Sequence, residues 1–453
     1  MKSVFSKVRN TALESTLGRR LWGSVAAIPL MSWLIGALGA FILENLVGYS
    51  LALLVGLPGI PAIFGLSHLG ALIGALLKGV SGYAEVISSL MLFLGTLVYD
   101  LVIYIIPTYI LARLSVPLVE KFLSLIPARF YTLLHLAVFY GALHLWSYQD
   151  DYRLLVVRFI GIAIMLTVSL NLVNGYMGEF SCAHGGFMAV GAYVSSVIMV
   201  WGFVQDDVFG PPVLPPALAP IAFPIVLIIG GLASSLTALA VAIPSFRTRG
   251  DYLAIITLAF TFIVKSAIEN MEVIGGPRGF MNQPKLAGLP WVFIWTVLCL
   301  VVIYNYVNST YGKATCAVRD NETAAEVMTV DTRRIKVIAF LTSAFWAGVA
   351  GGLFAHVVGY INPATFGIMK SAEVLAMLYL GGLNSITGSI VGAVLFQLLS
   401  EILRPLKLVK WVVIPILLIT VMIFRPMGLM GFREIRPQFL RPKKEVKYAP
   451  ASD

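Results

Sequence analysis

Charge is what this 453-residue chain has least of. Asp, Glu, Lys and Arg together make up 12% of it, against about 25% in an ordinary soluble domain. With 59% hydrophobic residues and a mean hydropathy of +0.90, that shortage excludes a soluble globular protein. Cysteine is scarce too: Cys182, Cys299 and Cys316 are odd in number and show no CxxC spacing, which argues against a disulfide framework and a zinc site. No basic patch with interleaved aromatics stands out, so nucleic acid is not an expected partner. The start, MKSVFSKVRNTALESTLGRR, lacks the short apolar core and small-residue site of a cleavable signal.

What is present in abundance is apolar sequence. The runs 25–43, 208–246, 287–312 and 337–369 carry no Asp, Glu, Lys or Arg. They are too long for membrane-barrel strands of about 10 residues. At roughly 1.5 Å per residue each can cross about 30 Å of hydrocarbon as a helix. The expected fold is an all-α polytopic membrane protein with about 10 to 12 transmembrane helices, some broken or re-entrant at Pro and Gly. Four regions are expected: a basic cytoplasmic segment 1–22, a membrane extension 23–148, a membrane core 149–430 and a basic cytoplasmic tail 431–453. The net charge of +10 is topological, since basic residues cluster in loops and tails and mark the cytoplasmic side.

In the extension, apolar segments run over 25–43, 46–77, 86–113 and 129–147. Pro58 and Pro61 interrupt the second, which reads as bent or re-entrant. Asp100 lies within the third, in LVYDLVIY, and an intramembrane carboxylate is expected to face protein or water. In the core, Arg247 and Arg249 of SFRTRGDY suggest a cytoplasmic loop. Lys265 and Glu269 stand at i,i+4 and can pair on one helix face. GGPRG, 275–279, breaks that helix. RPLKLVK, 404–410, runs against the charge rule if a single span follows it.

The stretch GYMGEFSCAHGGFMAVGAY, 175–193, gathers Glu179, Ser181, Cys182 and His184, an acid, two nucleophiles and a base. A nucleophile would need a base within reach and a third group to orient it, and no second polar cluster supplies one. A metal site needs more ligands than these. Among glycines and between apolar runs, the cluster reads instead as a polar, flexible break in a membrane helix. Glu179 and His184 then either line a pathway or hold the break in shape. Residues 311–336 form the longest polar loop of the core. Asp320 or Asn321 caps a helix there, with Glu322 in its first turn. ETAAEVM follows as a short amphipathic helix of about two turns. Its Ala324 and Ala325, beside Val327 and Met328, suggest close approach to a protein partner.

These stretches carry a resemblance. Arg319-Asp320-Asn321-Glu322, Ala324-Ala325-Glu326 and Met328 are similar to the coupling segment of ABC-importer permeases, in the form found in the branched-chain amino acid permeases of the LivM/LivH type. The usual glycine after the methionine is Thr329 here, which puts the shape of that turn in question. NLVNGYMGEFSCAHGGFMAVGAY, GDYLAIITLAF with GGPRG, and SAEVLAMLYLGGLNSITGSIVGA resemble three further motifs of the family, in order, with Asn384 where a glycine is usual. The likeness covers about 150–430.

The resemblance implies a permease subunit of an ATP-driven importer for branched-chain or other hydrophobic amino acids in the bacterial inner membrane. The family also includes permeases for urea and short amides. Its partners would be a second, LivH-like permease, two cytoplasmic ATPases, a periplasmic substrate-binding protein and the lipid bilayer. Arg319, Asp320, Asn321, Glu322, Ala324, Ala325, Glu326 and Met328 would couple to the ATPases. Pathway candidates are Asn171, Glu179, Ser181, His184, Gly275, Gly276, Arg278 and Glu373. No cofactor, metal or catalytic residue is expected in this chain. Gly312-Lys313 lacks an upstream glycine at 307 and is followed by Ala314, so it is not a Walker A loop, and ATP with Mg would sit on partner subunits. The reading from another class is an ion-coupled secondary transporter with Asp100, Glu179 and Glu373 as its relay, which leaves the docking loop without a role.

Overall fold

The computed structural model describes residues 28–77, 83–127, 130–206, 208–246, 252–425, 427–432 and 434. The basic start, Arg247, Arg249 and nearly all of the basic tail lie outside them. Among the described residues, regular structure is helical, with only two isolated bridges, Asp206 to Gly210 and Phe280 to Ile361. The chain divides into two compact units: Met1–Arg153 with Ile435–Asp453, and Leu154–Glu434.

In the first unit, α1 (Leu30–Leu54) is one continuous helix, so Glu44 lies inside it and not in the gap expected between two apolar segments. The chain breaks after it, as the prolines require. A 3-10 turn at Ala62–Gly65 leads to the short α2 (Leu66–Leu77). Next, α3 (Tyr83–Asp100), a π turn at Leu101–Ile105 and α4 (Ile106–Leu125) run on as a single helix, well past the expected end at 113. Pro107 lies near the start of α4, and the fourth residue before it, Ile103, falls in the π turn. A proline ring clashes with the carbonyl four residues back, and the wider turn accommodates it. α5 (Tyr131–Ser147) closes the unit.

A buried ion pair holds this unit. Arg153 reaches Glu44 through two hydrogen bonds, at 3.0 and 2.7 Å, and donates to the Pro61 carbonyl at 3.0 Å. Tyr104 donates to Glu44 at 2.6 Å, and Trp146 lies 5.2 Å from the guanidinium. Arg153 and Glu44 are almost completely buried, so the pair is stable only because each charge meets several partners. Asp100 is half-buried and has no ion-pair partner among the described residues.

α6 (Asp151–Asn171) leads into the second unit and widens into a π turn, Leu172–Met177. After a break, α7 (His184–Phe203) begins. α8 (Ala219–Ser245), α9 (Tyr252–Glu269) and α10 (Leu289–Asn308) follow. Residues 311–336, read as a loop with one short helix, hold α11 (Thr310–Asp320), capped by Ser309, then α12 (Glu322–Val327), and end inside the next helix, which starts at Thr332. Then come α13 (Thr332–Val358), α14 (Ile368–Gly381), α15 (Ile386–Ile402) and α16 (Lys410–Phe424).

The core of this unit is where α7, α8 and α13 meet, and small residues permit it. A Cβ at Gly191 would overlap the backbone of Gly348, and one at Gly348 would strike Ser234. Removing side chains there lets backbones approach, the usual basis of helix association in lipid. α14 and α15 form a hairpin bent by 120° across a four-residue turn. Among the described residues, eight helices are long and apolar enough to cross a membrane, or nine with that pair as one span. Two shorter apolar helices lie in 62–76 and 412–424. The protein is a multi-pass membrane protein.

Candidate functional site

The polar stretch 178–183 is a true helix break. The π turn ends at Gly178, whose φ of 78° is left-handed and whose missing Cβ leaves room for the Arg319 side chain. A break inside apolar surroundings exposes backbone groups that must find partners. Here side chains of α9 and α14 supply some of them, and the π turn itself supplies others. The Cys182 N–H donates to Thr257 Oγ1 at 3.0 Å, and Thr261 Oγ1 donates to the Cys182 carbonyl at 3.1 Å. Ser181 N–H donates to Asn174 Oδ1 at 3.2 Å, Glu179 N–H to the Val173 carbonyl at 3.2 Å, and Gly185 N–H to Ser371 Oγ at 3.0 Å.

The four polar side chains part company. Ser181 is buried and accepts from its own segment, at Ala183 N–H. His184 Nε2 lies 3.2 Å from Ser169 Oγ and 3.3 Å from Ser343 Oγ, while Ser343 donates to the Ser169 carbonyl at 2.6 Å. Glu179 points elsewhere, to Lys336 at 2.8 Å. Ser181 and His184 therefore share no hydrogen bond among the described residues, and nucleophile and base are not paired. Nor do three His, Cys, Asp or Glu side chains group as metal ligands among the described residues.

The coupling segment forms as the caps dictate. Asn321, not Asp320, accepts from Ala324 N–H at 3.0 Å. Asp320 instead pairs with Arg319 at 2.7 Å. Of the two alanines, Ala325 turns inward against Val318 and Ile335, and Ala324 remains outside. The outward apolar side chains are Val327 and Met328, 76% and 74% exposed. Glu326 accepts from Thr332 Oγ1 at 3.2 Å, and Asp331 caps α13 at Arg334 N–H. Thr329 adopts φ 64°, the left-handed region that glycine enters without strain. Burial pushes the Cys316 thiol above its ordinary value, which keeps it protonated.

Beside this segment lies the hairpin turn. Arg319 donates to Asn384 Oδ1 and lies over the Phe432 ring. Asn384 N–H donates to Asn171 Oδ1 at 3.2 Å, and Asn171 Nδ2 reaches the Ser385 carbonyl and Ser389 Oγ at 3.0 and 2.8 Å. Glu434 accepts from Ile386 N–H at 2.6 Å and Thr387 N–H at 3.2 Å, a carboxylate placed at the positive end of α15.

At the far end of α13 a second group gathers. Gly275 and Gly276 have φ of 84° and 49° in the turn between α9 and α10. The Arg278 carbonyl accepts from Tyr360 Oη at 2.7 Å, and its side chain is exposed with no ion pair among the described residues. Burial alone would raise Asp206, but hydrogen bonds from Val208 N–H and Asn282 hold it below its ordinary value. Glu373, near the start of α14, pairs with Lys370 at 2.9 Å. Lys265 and Glu269 pair as spaced, at 3.6 Å. Of the pathway candidates, Asn171, Glu179, Ser181 and His184 stand around the break and the hairpin turn. Gly275, Gly276 and Arg278 stand in the far loop, and Glu373 near the start of α14. Sequence reasoning missed Thr257, Thr261, Ser169 and Ser343, hydroxyls in apolar runs, and used Lys336 only as a marker of side.

Comparison with known proteins is consistent with this arrangement. A family model described as "Branched-chain amino acid transport system / permease component" matches residues 152–424. The LivM protein of Escherichia coli, named a high-affinity branched-chain amino acid transport system permease, is 32% identical over 61% of this chain and 69% of its own. Its Salmonella typhimurium counterpart is 32% identical over 63% and 71%. The LivH permease of Salmonella typhimurium is 24% identical over 60% of this chain and 92% of its own. No solved structure matches the chain.

Proposed function

Because the chain belongs to the family of branched-chain amino acid transport permease components, we propose that it is one membrane subunit of an ATP-driven importer. The cargo is a branched-chain or similarly hydrophobic amino acid, and the membrane is the bacterial inner membrane. A LivH-like permease completes the membrane part, two ATPases dock on the cytoplasmic side, and a binding protein delivers substrate from outside. ATP and Mg belong to the ATPases.

The observation that carries this reading is α12. A six-residue helix exposes Val327 and Met328 outside every helix long enough to span. Large apolar side chains on a polar loop mark an interaction site. Arg319, Asp320, Asn321, Glu322 and Glu326 set its rim, its cap and its attachment to α13. ATP-driven closure of the ATPases moves α12, and the permease alternates between outward and inward access. Glu179 and Glu373 each face a lysine, which speaks against a proton relay through these two members of the ion-coupled alternative.

The test is co-purification in mild detergent with the neighbouring genes co-expressed. The ATPases should accompany the wild-type chain and be lost from a Val327→Glu, Met328→Glu double variant, with uptake falling at least about tenfold. Retention of the ATPases and of uptake by that variant would sink the docking role. Calorimetry of the cognate binding protein with leucine, urea and acetamide decides between the substrate classes.

A further inference from the structure

We propose that Lys336 is a positioning residue of the transport cycle, the strut through which movement of α12 reaches the break between α6 and α7; the proposal rests on the permease reading above. Lys336 lies on the second turn of α13, and its ammonium faces two carboxylates at once. Glu179 Oε1 of the break is 2.8 Å away and Glu322 Oε1 of the coupling helix is 2.9 Å away. An ammonium has three donors and no acceptor, so one Lys can join two acids that would otherwise repel. Its side chain is only 11% exposed, and water screens a contact so placed less than one at the open surface.

Each end of this strut is attached to a different element. Glu322 is in the first turn of α12, where the helix dipole already favours an anion. Glu179 is the sole charged residue of 178–183. That segment has no helix of its own and is tied to α9 through Thr257 and Thr261, and at Gly185 to Ser371 of α14. Seven residues beyond Lys336, Ser343 meets His184 at 3.3 Å. Residues seven apart share a helix face. One face of α13 thus grips the break at its start through Glu179 and at its end through His184, and holds α12 by the same lysine.

The experiment uses the assembled complex in proteoliposomes, with leucine-loaded binding protein outside, and reads leucine uptake per ATP hydrolysed. Lys336→Met should lower that ratio about tenfold while the ATPases still co-purify and hydrolyse ATP within about twofold of wild type. Lys336→Arg, which keeps the charge, should stay within about twofold. Glu179→Gln, which spares the Lys336–Glu322 contact, should uncouple as Lys336→Met does. The double variant Lys336→Glu, Glu179→Lys should exceed Lys336→Glu alone. A purely structural lysine would change yield but leave the ratio untouched, and an unchanged ratio in both Lys336→Met and Glu179→Gln overturns the proposal. Failure of the wild-type complex to bind ATPases or import leucine would instead remove the permease reading beneath it.

Discussion

The two units hold themselves together by different means. In the first, α1 and the long α3–α4 helix bury only 28% and 22% of their most apolar windows, and the polar interior centres on one ion pair, Glu44 with Arg153. In the second, α6, α7 and α13 bury 72%, 72% and 67% while α9 and α10 bury only 22% and 28%. Its buried ties are neutral, hydroxyls to backbone, glycine against glycine, amide to amide, and its ion pairs, such as Lys336 with Glu179 and Lys370 with Glu373, keep part of their side chains exposed. A buried ion pair is all or nothing, because either charge left alone is far costlier than the pair. Neutral hydroxyl bonds are individually modest and exchangeable. The second unit is therefore fastened by neutral bonds and part-exposed ion pairs that can be remade, and the first by a buried pair that cannot.

The sharpest way to break this comparison is to remove half of the pair. Glu44→Gln leaves a buried guanidinium without its counter-charge and should destabilise the first unit by about 3–5 kcal/mol. Thermal melting and protease resistance in detergent would measure it. Glu44→Leu with Arg153→Met should recover most of the loss, since well-packed apolar replacements of such pairs are often neutral or better. If the double variant melts as low as the single, the pair specifies the fold of this unit and does not merely fill it.

A smaller effect is expected where the second unit is packed closest. Gly191→Val places side-chain atoms against the Gly348 backbone, and overpacking of this kind costs about 1–3 kcal/mol. The helices can separate slightly, which a severed ion pair cannot imitate. A loss larger than that of Glu44→Gln would reverse the ranking of the two units.

Much of this was legible before the fold was known, and the reasons are local. Asn321 and Glu322 announce a helix start by cap chemistry, and apolar runs announce spans by length. Glu179, Ser181, Cys182 and His184 announce a break because polar groups in lipid need one. What stayed hidden depends on partners distant in sequence. Nothing near Thr257 or Thr261 says that they hold the backbone of Cys182. Nothing near Glu44 says that it meets Arg153. The alanine pair shows the same limit: a two-turn helix has one inner face, and only packing decides that Ala325, not Ala324, lies on it.

The smallest effect separates two positions that share one oddity. Thr329 and Asn384 have φ of 64° and 58°, and both stand where related sequences are read to prefer glycine. A β-branched residue in the left-handed region is strained by about 1–2 kcal/mol, and glycine's extra unfolded-state freedom returns roughly 0.5–1 kcal/mol of that. Thr329→Gly should therefore stabilise by about 0.5–1 kcal/mol, seen as slower hydrogen exchange at the amides of 325–330. Asn384 is different because asparagine tolerates this conformation and its side chain accepts from Arg319. Asn384→Gly loses that charge-assisted bond and should destabilise the hairpin turn by about 1 kcal/mol. Opposite signs would show that the second unit includes one turn residue kept for its side chain and one that carries strain. Equal signs would mean that backbone conformation alone governs both turns, and that the contact between Arg319 and Asn384 contributes nothing to holding the coupling segment against the hairpin.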